Sequence, residues 1–586
     1  MKQFFKFVFA SMVGIILSTI LLFVILIGGL AAIVSSSEDK VELTENTILH
    51  LNLNVPIIER STSSPLDNID LGPFKGDKVI GLDDILKSIR YAKDDDNIKG
   101  IYLDVSYLMT GLATIEEIRD ALIDFKKSKK FIYAYSEVYT QSAYYLASTA
   151  DKIYLNPQGL LELKGFSAEV TFFKGALDKL GIEAQVIKVG TYKSAVEPYI
   201  LEKMSDANKL QTNALLTSLY NNFTLKIAES RNLPQETVIN IANKLLCRSP
   251  QDAVDLKLVD ALKYKDEVLL ELKSKTDIKK DGKLKTVTLS DYAKTVNISN
   301  SSSDRIAIIY ANGEISGGEG DENSIGSEGI SKALRKARLD DKIKAVVLRV
   351  NSPGGSSLAS DVIWREVALT KKAKPVIVSM GDYAASGGYY IACAADSIFA
   401  ERNTITGSIG VFAIIPNMKG LLNDKMGITF DGVKTGEFSD FGNLTRPLTP
   451  AERFIFQTQV NRTYQDFTKI VAQGRKIPQS YVDSIGQGRV WTGEQAIKLK
   501  LVDRIGHIED AIASAAKMAK LKEYKIVKYP DIDKSFFGLM DKGGDQIKTY
   551  LVKKELGVSY QYYQKIKEVA NMKGLQSRMP LQLEIN

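Results

Sequence analysis

The chain has 586 residues, 45% hydrophobic and 25% charged, a globular composition with length for roughly two to four domains. Its formal charge of +7, from 77 basic against 70 acidic residues with no clustered basic stripe, does not point to nucleic acid as a partner. Cys247 and Cys393 are the only cysteines, which excludes a disulfide framework and a structural zinc site, so neither metal nor cofactor is expected.

From Phe7 to Ser37 no charged residue occurs. A bilayer-spanning helix needs about 20 apolar residues, whereas the apolar part of a cleaved signal peptide runs about 7–15. Residues 1–37 are therefore expected to be an uncleaved anchor that sets residues 7–34 in a lipid bilayer. Lys2 and Lys6 lie before the span, and Glu38 and Asp39 follow it. That asymmetry keeps the first residues in the cytoplasm and sends the rest to the periplasm or an equivalent extracytoplasmic space.

The remainder is a duplication. DDDNIKGIYLDV (Asp94 to Val105) pairs with LDDKIKAVVLRV (Leu339 to Val350) at a spacing of 245, which persists with small drift for more than 160 residues. Two copies follow, residues 45–296 and 305–537, joined at 297–304 by the polar run NISNSSS, with a tail over 538–586 that reads as at least one amphipathic helix. Within each copy, apolar strands such as AVVLRV (Ala345 to Val350) alternate with helical stretches such as SKALRKARLDD (Ser331 to Asp341). The fold class is α/β, two tandem domains around largely parallel sheets.

The copies differ where chemistry is expected. YSEVYTQSAYYLASTADKIYL (Tyr135 to Leu155) holds Gln141-Ser142-Ala143 where MGDYAASGGYYIACAADSIFA (Met380 to Ala400) holds Ser386-Gly387-Gly388. A serine at a strand-to-helix turn exposes its hydroxyl near free helix N–H groups, as an acyl-transfer nucleophile requires, although a helix N-cap would use the same residue. A cap should survive in both copies, whereas a nucleophile need survive in only one. NSPGGSS (Asn351 to Ser357) follows a strand, so Gly354 and Gly355 are candidate oxyanion donors with Gly387, the alternative being an ordinary turn. SYLMTGL (Ser106 to Leu112) in the first copy lacks that Pro-Gly-Gly.

His50 and His507 stand beside no nucleophile-like turn, so they read as structural and a base is sought elsewhere. A buried lysine is the usual remaining partner. The first copy reads VIKVGTYKSAVEPYI (Val186 to Ile200), with Lys193 opposite Ser439 of the second, which has no lysine from Thr435 to Glu452. The comparison points to a hydroxyl from one copy and an amine from the other.

Together the anchor, the duplication, NSPGG, MGDYAASGGYYIA, TITGSIGV and VGTYKSAVEPY resemble the signal peptide peptidase (protease IV) family in its long, two-copy form, over nearly the whole chain after the anchor. The resemblance implies a serine peptidase of the bacterial inner membrane, on the crotonase-like superfold shared with the Clp proteolytic subunit. It implies Ser386 as nucleophile and Lys193 as general base, with Gly355 and Gly387 framing the oxyanion hole and Ser408 orienting the lysine. It further implies a tetramer, each site built from both halves of one chain, acting on signal peptides and other apolar peptides. The alternatives are an acyl-CoA hydratase or isomerase on the same superfold, and a membrane scaffold without activity.

Overall fold

The computed structural model describes residues 2–36, 43–61, 79–296, 301–531 and 574–579, with residues 549, 552–557, 560 and 563. The apolar start is one helix, Lys2–Ser36, in which Gln3–Leu22 has a mean hydropathy of 2.2. At about 1.5 Å per residue it exceeds a hydrocarbon core of about 30 Å.

Each copy builds its own parallel sheet. In the first the order is Ala261–Leu262, Lys152–Leu161, Phe131–Tyr139, Ile98–Asp104, Thr47–Asn52, Thr286–Thr288. In the second it is Val490–Thr492, Ile405–Gly407, Val376–Ala385, Ile343–Ser352, Arg305–Asn312, Lys525–Tyr529, with only Val490–Thr492 antiparallel. Ile98 and Ile343, Phe131 and Val376, and Lys152 and Ser397 open equivalent strands at the spacing of 245. Strands such as Ile343–Ser352 are buried almost throughout because helices cover both faces. The covering helices are amphipathic: Leu82–Asp94 buries Ile85, Leu86, Ile89 and Ala92, and Ser327–Leu339 buries Ile330, Ala333, Leu334 and Ala337.

The copies are not separate bodies. One apolar core unites Leu49, Ile101 and Ile132 of the first with Ile306, Val347 and Ile377 of the second. Across it Arg349, 1% exposed, donates to Glu59 and Glu117 at 2.8 Å each. A third sheet crosses the junction: Glu183–Val189 of the first copy runs antiparallel to Val411–Asn417 of the second, Val189 opposite Val411. Most of the expected tail helix lies outside the described residues. Residues 574–579 of the tail are described, and Gln576–Arg578 forms a strand of this third sheet, between Gly354–Ser356 and Val411–Asn417.

Candidate active site

The cross-copy strand pair delivers the lysine. Just after Val189 the backbone turns at Gly190, φ +106°, where a Cβ would stand 2.5 Å from the Gln487 backbone. Tyr192 N–H then donates to the Gln487 carbonyl at 2.9 Å, and Lys193 points inward, fully buried. Its Nζ lies 3.0 Å from Ser386 Oγ, 3.1 Å from Ser408 Oγ and 3.2 Å from the Ser408 carbonyl oxygen. Burial alone holds this amine well below the usual lysine range. A neutral amine has two N–H bonds and one lone pair. Both N–H bonds can go to Ser408, which leaves the lone pair facing the Ser386 hydroxyl.

Ser386 sits between the strand Val376–Ala385 and the helix Gly387–Ala392 with φ 54° and ψ −113°, a conformation unfavourable for a residue with a Cβ. Its N–H donates to the Gly407 carbonyl at 2.8 Å, and its hydroxyl makes no cap bond. The N-cap alternative is thereby removed. In the first copy Thr140 caps the helix Gln141–Ala147, while the Gln141 side chain bonds the backbone of Lys164 and Gly165. Ser439, the counterpart of Lys193, is exposed and reaches only Thr435.

The glycine turn departs from the expectation at Gly354. Gly354 (φ +98°) and Gly355 (φ +155°) use backbone that favours glycine. The Gly354 N–H, however, donates to Ser352 Oγ at 3.1 Å, because the serine two residues earlier folds over the turn. Gly354 therefore supports by close packing: Gly387 N lies 2.7 Å from where its Cβ would be. Ser408 (φ 50°) meets the lysine through two atoms, its hydroxyl and its carbonyl.

Sequence reasoning missed Gly488 and Gly410, which form the wall behind the lysine. A Cβ on Gly488 (φ +80°) would lie 2.7 Å from Lys193 Cα, and one on Gly410 3.1 Å from its Cδ. The glycine spacing in SIGQGRV was the available signal. Neither histidine bonds Lys193 or Ser386: His50 pairs with Asp104 at 3.2 Å, and His507 with Glu401 at 2.6 Å and Asp120 at 3.1 Å. Glu117, Glu401 and His507 place ligand-type atoms within 4.8 Å of one another, but they are occupied by each other and by Arg349. The cluster is an ion-pair network between the copies.

The peptidase family S49 profile matches the chain twice, over residues 124–279, which contain Lys193, and residues 368–522, which contain Ser386 and Ser408. The chain belongs to peptidase family S49. Protease 4 of Haemophilus influenzae is 36% identical over 86% of this chain and 84% of its own length. Protease 4 of Salmonella typhi is 39% identical over 76% and 74%. The chloroplastic serine protease SPPA of Arabidopsis thaliana is 34% identical over 83% and 72%. S49 membership makes the chain a peptidase rather than a hydratase, and it explains the paired copies as two S49 units in tandem.

Proposed function

We propose that this S49 peptidase is a membrane-anchored serine endopeptidase that uses Ser386 as nucleophile and Lys193 as general base to degrade released signal peptides and other apolar peptides. The observation that carries the reading is the fully buried amine 3.0 Å from a strained serine hydroxyl. Lys193 Nζ takes the Ser386 proton as Oγ attacks the scissile carbonyl carbon. The resulting oxyanion is met by the N–H groups of Gly355 and Gly387, the latter in the first turn of a helix. The protonated lysine returns its proton to the leaving amine. Water, deprotonated by the now neutral Lys193, attacks the acyl carbon; the C–Oγ bond breaks, the lysine proton passes to Ser386 Oγ, and the acid product leaves. Ser408, holding the two remaining N–H bonds, keeps the lone pair aimed at the hydroxyl.

The substrate class follows from the anchor. A released signal peptide is an apolar segment held in the bilayer, and an enzyme tethered by residues 7–34 reaches it by diffusion in two dimensions. The catalytic part then faces the periplasm or equivalent space, because the basic residues precede the span. Met426, Ile428, Phe430, Val433 and Phe438, large apolar side chains exposed along one segment, support self-association into a homo-oligomer, the tetramer of the resemblance. Native mass measurement in detergent checks that count.

A fluorophosphonate probe tests the dyad. It should label the wild type and neither Ser386→Ala nor Lys193→Met; labelling of Lys193→Met at the wild-type rate would remove the base assignment. Peptide fragments released from a synthetic signal peptide in liposomes, identified by mass, test the substrate.

A further inference from the structure

The last described residues of the chain lie across the dyad. Gln576–Arg578 enters the third sheet between two strands from either side of the site and runs antiparallel to both. Gly354, Gly355 and Ser356 stand opposite Arg578, Ser577 and Gln576, and Phe412 stands opposite Gln576 from the other side. Ser357 N–H donates to the Leu575 carbonyl at 3.1 Å, and Met579 N–H to the Pro353 carbonyl at 2.8 Å. Hydrogen-bonded pairs alternate in an antiparallel ladder, so Gly355 and Ser577 form the pair between them. The Ser577 carbonyl oxygen faces the amides expected to hold an oxyanion: it lies 2.1 Å from where a Cβ on Gly354 would be and 3.1 Å from that on Gly387.

The side chains are seated as well. Met579, 5% exposed, fills an apolar pocket made by Leu215 and Leu219 of the first copy with Ala385, Ile405 and Val490 of the second. Leu219 and Ile405 also line a neighbouring cavity of about 380 Å³ that extends to Gln141 and Ser142. Ser577 Oγ bonds Ser357 Oγ at 2.8 Å, and Arg578 reaches Glu314 at 3.3 Å. With the strand in place Ser386 has no exposed surface. Without it, the Gly354–Ser356 and Val411–Asn417 edges would face each other with open backbone donors and acceptors, a slot for an extended chain.

We infer that residues 575–579 are a built-in competitive inhibitor: the tail binds uncleaved in the peptide groove, and substrates must displace it. The inference rests on the peptidase reading and adds a rule for recognition. A substrate adds as an antiparallel strand beside Gly354–Ser356 and places a large apolar side chain two residues beyond the carbonyl that faces Gly355, in the pocket shared by both copies.

The test uses the full-length protein in liposomes, a variant ending at Gly574, and Met579→Asp in the intact chain, which sets a charge in the apolar pocket without shortening anything. Both variants should label with fluorophosphonate about tenfold faster and show a KM for a fluorogenic apolar peptide about tenfold lower at similar kcat, the scale of losing a tethered competitor. A synthetic peptide of residues 575–580 should slow the truncated protein competitively, and its Met579→Asp form should not. Wild-type rates in both variants, with Ser386→Ala still unlabelled, would overturn the inhibitor and leave the peptidase reading standing. A purified protein whose mass ends at Ser577 would also overturn it, since the strand would then be a consumed substrate. Absence of labelling in wild type and variants alike would bring down both readings.

Discussion

Lys193 Nζ and Ser386 Oγ lie 3.0 Å apart although one belongs to the first copy of the duplicated fold and the other to the second. The strand pair Glu183–Val189 with Val411–Asn417 is what spans the junction, so the geometry of the dyad is set by cross-copy register and not by either copy alone. Ser386 also carries φ 54°, strain that the surrounding packing must hold.

The first prediction concerns the rate. Lys193 must be neutral to accept a proton, and burial holds its pKa well below the ordinary lysine range. Peptide hydrolysis should therefore rise with pH and level off far below the value of about 10.4 typical of free lysine. Lys193→Met should lower kcat/KM by about 100- to 10,000-fold, the usual worth of a general base. Lys193→Arg should not rescue, because guanidinium stays protonated. A profile still climbing at pH 10 would contradict the buried amine as base.

The second concerns stability. A lysine that is neutral when folded and charged when unfolded gives the unfolded state more protons between the two pKa values, so stability rises with pH across that window. The penalty is absent above the unfolded pKa and complete once pH has fallen through the folded one. Lys193→Met removes it. By calorimetry the variant should melt higher than wild type at neutral pH, with the gap closing toward pH 10. Parallel melting at every pH would show that the folded amine is charged.

Much of this was readable from residues because duplication supplies an internal control. The spacing of 245 exposed both sheets, and the places where the copies diverge singled out Ser386 and Lys193. Three features escaped that control. The Gly354 N–H bond to Ser352 Oγ depends on a side-chain rotation with no sequence signature. Gly488 and Gly410 act by leaving space, which is visible only once Lys193 is packed against them. The strand Gln576–Arg578 has no counterpart among the described residues of the first copy and too few residues for a periodicity, so its place is set by the two edges that receive it.

Gly488→Ala supplies the third prediction. Its Cβ would stand 2.7 Å from the Cα, Cβ and N of Lys193, and φ of +80° adds strain. Because the neighbour is backbone, the lysine segment must shift. A displacement near 1 Å costs on the order of 100-fold in rate for a positioned group. The expected result is a fall in kcat of that order with KM little changed and the cooperative melt retained. An unchanged kcat would mean that the lysine wall is not what positions the amine.

The fourth prediction tests the joint between the copies. His507 of the second copy bonds Glu401 at 2.6 Å and Asp120 of the first copy at 3.1 Å, with buried Glu117 and Arg349 beside them. Burial pulls the imidazole pKa down, but the hydrogen bonds to Asp120 and Glu401, with the nearby negative charge, push it up to about 12. A group raised in this way stabilises fully below its unfolded value of about 6.5, and the contribution is lost as pH rises through the folded value. His507→Gln leaves buried Glu401 and half-buried Asp120 without the ring that joins them, at a cost of about 2–4 kcal/mol, toward the low end for a buried pair because the ring and Asp120 are partly exposed. The loss of Tm relative to wild type should therefore be larger at pH 6 than at pH 9. Equal Tm losses at both pH values would show that the charge of the ring is not what joins the copies.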